Sequence, residues 1–378
     1  MDQLTGFCSV GLKEDPVQTS DPILHKQYRR LFASAISPRA VQTYWSMQIR
    51  QARTMTLDVI TSPLGYMQAV KRAVAAISFL VAYGYELKDD DEMLLEADRG
   101  LRIFEKLMTP GAWLVDVLPI LQVIPSWFPG ANFKRLAKAW GHFLEETRDT
   151  PFNWVKTDLA AGKAKPSFVA QLLQEQDDTH GRRFPETRIR WTAGVIYGAG
   201  SDTSVAAIHT FLAAMVQYPE VQMKAQAELD SVIGRERPPT IADRDSLPYC
   251  WAVVQETLRW QPVATLGLPH VLQNDEEFEG YFLPKGTTVL ANVIYMSRDE
   301  HEYPSADEFK PERFLAEDGT SLRSESFGFG FGRRVCPGVH LAEATIFGAV
   351  ISLLFTANIS WPENAERTIT YEKALGVK

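Results

Sequence analysis

The segment Phe327-Gly328-Phe329-Gly330-Phe331-Gly332-Arg333-Arg334-Val335-Cys336-Pro337-Gly338 holds the residue types best suited to chemistry. Its glycines let the backbone lie close to a large flat partner and take conformations closed to other residues. Cys336 stands at the mouth of the helical pattern that follows. Unpaired backbone N–H groups and the positive end of the helix dipole favour a thiolate there. A thiolate can ligate haem iron and push electron density that promotes O–O cleavage. Arg334, two residues earlier, can pair with a haem propionate. The same residues also read as a glycine loop around a buried, inert cysteine. Composition leaves both readings open.

Two further groups stand out. Asp202 and Thr203 fall in Ala199-Gly200-Ser201-Asp202-Thr203, midway along a long apolar helical pattern. An acid amid apolar turns is costly unless it has a partner or a task. A satisfied polar patch on a buried helix is the plainer reading of such a pair. Glu256 and Arg259 are three apart and share a helical face. An ordinary surface ion pair is the commoner meaning of that spacing.

Positioning these groups requires a helix-rich frame. Apolar residues recur at three- and four-residue spacing over 27–32, 39–58, 66–85, 89–107, 132–161, 165–176, 186–217, 219–233, 247–260 and 339–355, which predicts helices there. Pro219 ends the long helix at Tyr218 and suits the first turn of the next. Short alternating runs at 266–272, 280–283 and 287–291 predict small strands between turns. Residues 304–332 are rich in Pro, Gly and charge, an irregular stretch of the kind that carries function. No glycine-rich loop joins a strand to a helix, so a dinucleotide fold is unsupported.

The 378 residues exceed one ordinary core, and the composition, 45% apolar and 23% charged, is globular. A net charge of −8 argues against a nucleic-acid partner. Three cysteines make no disulfide framework and suit a reducing compartment. The apolar runs read as buried helices rather than membrane spans, and the first residues carry no anchor or signal pattern.

The cysteine segment resembles the haem-binding motif of cytochromes P450 (Phe, two residues, Gly, one, Arg, one, Cys, one, Gly) at Phe329, Gly332, Arg334, Cys336 and Gly338. Gln255-Glu256-Thr257-Leu258-Arg259 is similar to the family's Glu-x-x-Arg helix, and Pro311-Glu312-Arg313-Phe314 to its partner segment. Residues 199–203 resemble the family's oxygen-binding groove, where the helix opens locally. The flavour is that of the fungal secondary-metabolite branch, and the resemblance runs from about residue 24 to the end.

The resemblance implies a mainly α fold with a small β region, and haem b with Cys336 as axial thiolate. Glu256, Arg259 and Arg313 would form a buried charged triad, and Asp202 and Thr203 would relay protons through ordered water. His270 and Arg29 would bind haem propionates; the family's usual tryptophan four residues before that arginine is here His25. The apolar runs 195–199 and 263–268 would contact a hydrophobic substrate. The implied function is oxidation of an apolar small molecule, of terpenoid or polyketide class, with NADPH-cytochrome P450 reductase as partner. Residues 1–23 receive no assignment and 24–378 a catalytic domain, lacking the family's membrane anchor, first strands and final hairpin. A shortened gene model, a decayed paralogue and a compact enzyme each account for that. The alternative function is a non-catalytic haem-binding or pseudogene product. The expected location is the endoplasmic reticulum membrane surface, or the cytoplasm for a chain that is complete as it stands.

Overall fold

The computed structural model describes residues 14–109, 112–175, 184–320 and 327–361. The unassigned first residues and the chain end beyond 361 therefore fall outside the described residues in whole or in part, as do 321–326 of the irregular stretch.

In chain order the helices are α1 (Pro22–Ile36), α2 (Pro38–Gln42), α3 (Trp45–Thr61), α4 (Tyr66–Tyr83), α5 (Glu92–Met108), α6 (Leu114–Val117), α7 (Asn132–Ala160), α8 (Phe168–Glu175), α9 (Glu186–Gln217), α10 (Pro219–Val232) and α11 (Pro248–Trp260). Strands β1 (His270–Val271), β2 (Glu276–Phe278), β3 (Tyr281–Leu283) and β4 (Thr288–Val289) follow, then α12 (Val293–Met296) and α13 (Val339–Thr356). The fold is mainly α with a small β region.

Local chemistry sets most boundaries. Asp21 caps α1 by accepting the Ile23 and Leu24 N–H groups, with Pro22 in the first turn. Asp91 does the same for α5 through Met93 and Leu94. The periodicity over 39–58 predicts one helix, yet the chain breaks between α2 and α3. There the Thr43 N–H and hydroxyl both turn back on the Ala40 carbonyl, at 3.0 and 2.6 Å. Such side-chain bonds compete with helix propagation.

Strand β1 is shorter than its sequence run because Gly267, at φ +60°, turns back on the Ala264 carbonyl. It pairs antiparallel with β4, His270 opposite Val289. β2 is an added strand, paired with β3 around Glu279 and Gly280, which have φ of 50° and 81°. Two consecutive positive φ values suit a tight hairpin.

The chain forms two compact units, which among the described residues fall at 14–37 with 75–200, and at 38–74 with 201–361. The first is cored by Tyr28, Leu31, Phe79, Phe152 and Ile189. The second is built on α13, mostly apolar and buried at Leu341 and over 344–354, Phe347 included, and its core also holds Met55, Ile208 and Val253. The helical stretches Pro63–Tyr83 and Val339–Thr356 are apolar enough to cross a membrane by length and composition. Half or more of each is buried in protein, as in core helices.

Candidate functional site

Within the second unit the residues around Cys336 form a closed backbone loop. The Cys336 N–H donates to the Phe329 carbonyl at 2.7 Å, and inside that ring Arg334 N–H reaches Phe331 and Val335 N–H reaches Gly332. The tight path needs left-handed backbone at Gly330 (φ +78°) and Gly332 (φ +54°), which a side chain would strain. Cys336 is half-buried and lies just ahead of α13, with Gly338 as its cap residue. A Cβ on Gly338 would sit 3.7 Å from the Cys336 sulfur.

Arg334 is half-buried, and burial holds its guanidinium below the usual arginine range. A cation partly withdrawn from water favours a carboxylate partner. Phe329 is half-buried in the same ring. His270 lies exposed on β1. Arg29 is half-buried on α1, in the first unit.

α9 runs as one helix through residues 199–203. The local opening expected there from resemblance is not seen. Gly and Thr are only indifferent helix formers, and cooperative turns on both sides carry the helix through them. Ser201 and Ser204 are buried, Asp202 is half-buried, and Ala199 and Thr203 are exposed. Midway along α9 the Thr203 hydroxyl is thus exposed, with the Asp202 carboxylate half-buried beside it.

The second unit also holds a buried charge cluster. Glu256 is 0% exposed and takes two hydrogen bonds from Arg259, Nε to Oε2 at 2.7 Å and Nη2 to Oε1 at 2.8 Å. Arg313 Nε adds a third at 3.2 Å, and the Lys310 N–H a fourth at 2.7 Å. Arg259 also donates to the carbonyls of Ser297 and Ala306, and Arg313 to that of Pro304. Every charge is paired and each guanidinium nitrogen has an acceptor, which is the condition for a buried ionic group to persist.

Sequence reasoning missed Glu228. Its carboxylate accepts the N–H groups of Tyr249 and Cys250, both at 2.8 Å, and so caps α11, the helix that carries Glu256 and Arg259. A signal was present: α11 begins with Pro248 after Leu247, with no residue able to cap from within.

A cytochrome P450 family model matches residues 8–377. The chain belongs to the cytochrome P450 family. Its relatives include cytochrome P450 monooxygenase 105 of Postia placenta, 40% identical over 338 residues, covering 88% of this chain and 64% of that protein. Cytochrome P450 monooxygenase claR of Ampulloclitocybe clavipes is 39% identical, over 85% of this chain and 60% of that protein. Tryptamine 4-monooxygenase of Psilocybe cyanescens is 36% identical, over 89% and 68%. The chain thus spans under two thirds of the length of the first two of these P450s. Haem b, held by a cysteine thiolate, is the cofactor of the family. The residues present fit that group. A half-buried sulfur at a helix mouth, a glycine-lined approach to it and a partly dehydrated arginine two residues away supply a soft metal ligand and a carboxylate partner.

Proposed function

We propose that the chain is a haem-thiolate monooxygenase that oxidises an apolar small molecule of fungal secondary metabolism, of terpenoid or polyketide class. The observation that carries this reading is the closed loop from Phe329 to Cys336, which presents a single half-buried cysteine at the mouth of α13. Cys336 would be the axial ligand, and Arg334 and His270 would hold the propionates, with Phe329, Gly332 and Gly338 shaping the approach. Bound haem supplies the site at which dioxygen is activated.

The net reaction places one oxygen atom in a C–H bond and releases the other as water. It consumes two protons and two electrons, the latter from NADPH through a separate reductase. The chain's own part in this is to keep the sulfur anionic and to move protons. α13 points the positive end of its dipole at Cys336. Asp202 can accept a proton from solvent and release it inward, and the Thr203 hydroxyl can donate to and orient the water that carries it. Thr203 is exposed on α9 and Asp202, next to it, is half-buried. Residues 263–266 are half-buried and, apart from Thr265, apolar, which suits a hydrophobic substrate.

The same reading places the protein at the endoplasmic reticulum membrane surface. Leu114, Leu118, Ile120, Val123, Trp127 and Phe128 are all exposed within a short stretch of the first unit, and Lys134 and Arg135 follow. Aromatic and apolar side chains beside basic ones suit an interface with anionic lipid. Binding to anionic vesicles that survives Trp127→Ser combined with Phe128→Ser would contradict this placement.

The deciding experiment is the difference spectrum of the dithionite-reduced protein with and without carbon monoxide, after expression with a haem precursor. A strongly red-shifted Soret band, lost in Cys336→Ala, is expected. A band at the ordinary haem-protein position would sink the proposal.

A further inference from the structure

Gln48, on α3, is 1% exposed and reaches across to α13 within the second unit. Its Nε2 donates to the Leu341 carbonyl at 3.1 Å and to the Thr345 hydroxyl at 2.9 Å. The Thr345 hydroxyl in turn donates to the Leu341 carbonyl at 2.8 Å. This fixes the orientation of the amide. A carbonyl can only accept and the threonine proton is already used, so both groups need a donor.

The next hydrogen bond along α13 extends the row. The Ala342 N–H donates to the Gly338 carbonyl at 2.9 Å. From Gln48 the sequence of groups is the 341–342 peptide, then the 338–339 peptide, whose N–H belongs to Val339. That N–H is in the first turn of α13, where no acceptor exists within the helix. Gly338, in the same peptide, stands next to the Cys336 sulfur: a Cβ added to it would lie 3.7 Å from that atom. Hydrogen bonds in series polarise one another, more so where water is excluded.

Stability alone does not account for this side chain. Among the described residues the Gln48 Oε1 is buried with no hydrogen-bond partner, and an unpaired buried amide oxygen costs free energy that an apolar residue would avoid.

We propose that Gln48 is a positioning residue for the axial thiolate. By donating to the Leu341 carbonyl it locks the first turn of α13 and strengthens the positive end that the 338–339 peptide presents to Cys336. This rests on the haem-thiolate reading given above. A thiolate facing a stronger positive end donates less to iron, so Gln48 raises the ferric/ferrous midpoint potential and softens the iron–sulfur bond.

The test uses the full chain, haem-loaded, in wild-type, Gln48→Met and Gln48→Glu forms. Expected in Gln48→Met are a more negative midpoint potential and a higher iron–sulfur stretching frequency by resonance Raman. Gln48→Glu, buried among acceptors and so held in its protonated form, keeps one donor and should leave both close to their wild-type values. Hydrogen exchange at the Ala342 amide speeds up about tenfold, the loss of one ordinary hydrogen bond. A lower melting temperature with unmoved potential and stretch would make Gln48 merely structural and overturn the proposal. If Gln48→Met does not fold, Thr345→Val removes the other side-chain donor to the Leu341 carbonyl and gives smaller shifts of the same sign; none there is equally fatal. If wild type shows no thiolate-type band, the haem reading fails by itself. Exchange at Ala342 in Gln48→Met still decides whether Gln48 holds the turn, and an unchanged rate rejects it.

Discussion

Arg259 grips Glu256 through two parallel hydrogen bonds of 2.7 and 2.8 Å, with the side chains 3% and 0% exposed. A planar guanidinium matches a carboxylate in this way and a lysine ammonium does not. Deep burial makes the pair intolerant of losing either half. Glu256→Ala would strand two guanidinium groups, Arg259 and Arg313, together with the Lys310 N–H. The expected loss is about 3–5 kcal/mol, read as a lowered denaturant midpoint. Arg259→Lys should recover only part of the stability lost in Arg259→Ala, and full recovery would contradict the two-point geometry.

Thr203 gives a kinetic prediction. Thr203→Ala leaves a methyl group on the accessible face of α9, where it disturbs little packing. Under the monooxygenase reading it removes the hydroxyl that orients the proton-carrying water. NADPH consumption should continue while product per NADPH falls by roughly a hundredfold, the low end of what positioned proton transfer contributes. Unaltered coupling would take Thr203 out of the proton path. Activity fed by hydrogen peroxide alone, and indifferent to this change, would point to a peroxygenase instead.

A third prediction concerns acid. Asp243 accepts hydrogen bonds from both terminal nitrogens of Arg237 at 2.8 and 2.7 Å, and from the Thr240 N–H and hydroxyl. The Arg237 bonds above all hold its carboxyl down at about 2, against an ordinary 3.8. A lowered folded-state value means the unfolded chain binds the proton first. The stabilisation is therefore complete above about pH 4 and fades as pH falls toward 2. Asp243→Asn should flatten the stability–pH curve in that window and leave its shape near neutrality unchanged. Urea midpoints at pH 2.5, 4 and 7 check this, and an equal slope in both proteins would contradict it.

Much of the frame was legible because most helices carry their apolar residues at helical spacing over many turns. The run at 186–217 matches α9 end to end. The break at Thr43 was hidden, since one hydroxyl turning on one carbonyl leaves no trace in periodicity. β2 was hidden too: Glu276-Glu277-Phe278 is fully exposed and has no apolar alternation to betray it.

The site divides in the same way. Glu256 and Arg259 sit at a spacing that any helix brings together, but their third partner, Arg313, is 57 residues from Glu256 and was reachable only through family resemblance. Gln48 meets Leu341 across 293 residues, and no local pattern marks it. What sequence shows least well is a buried polar side chain whose partner is a distant carbonyl.

The charge cluster has one more consequence, for how this chain can change over generations. Apart from Glu256, the acceptors that Arg259 and Arg313 use are the main-chain carbonyls of Ser297, Pro304, Ser305, Ala306 and Glu308. Any amino acid supplies a carbonyl. Selection acting through these contacts holds the path of the loop and leaves most of its letters free, so residues 297–308 can diverge among descendants while the frame around the cysteine stays put.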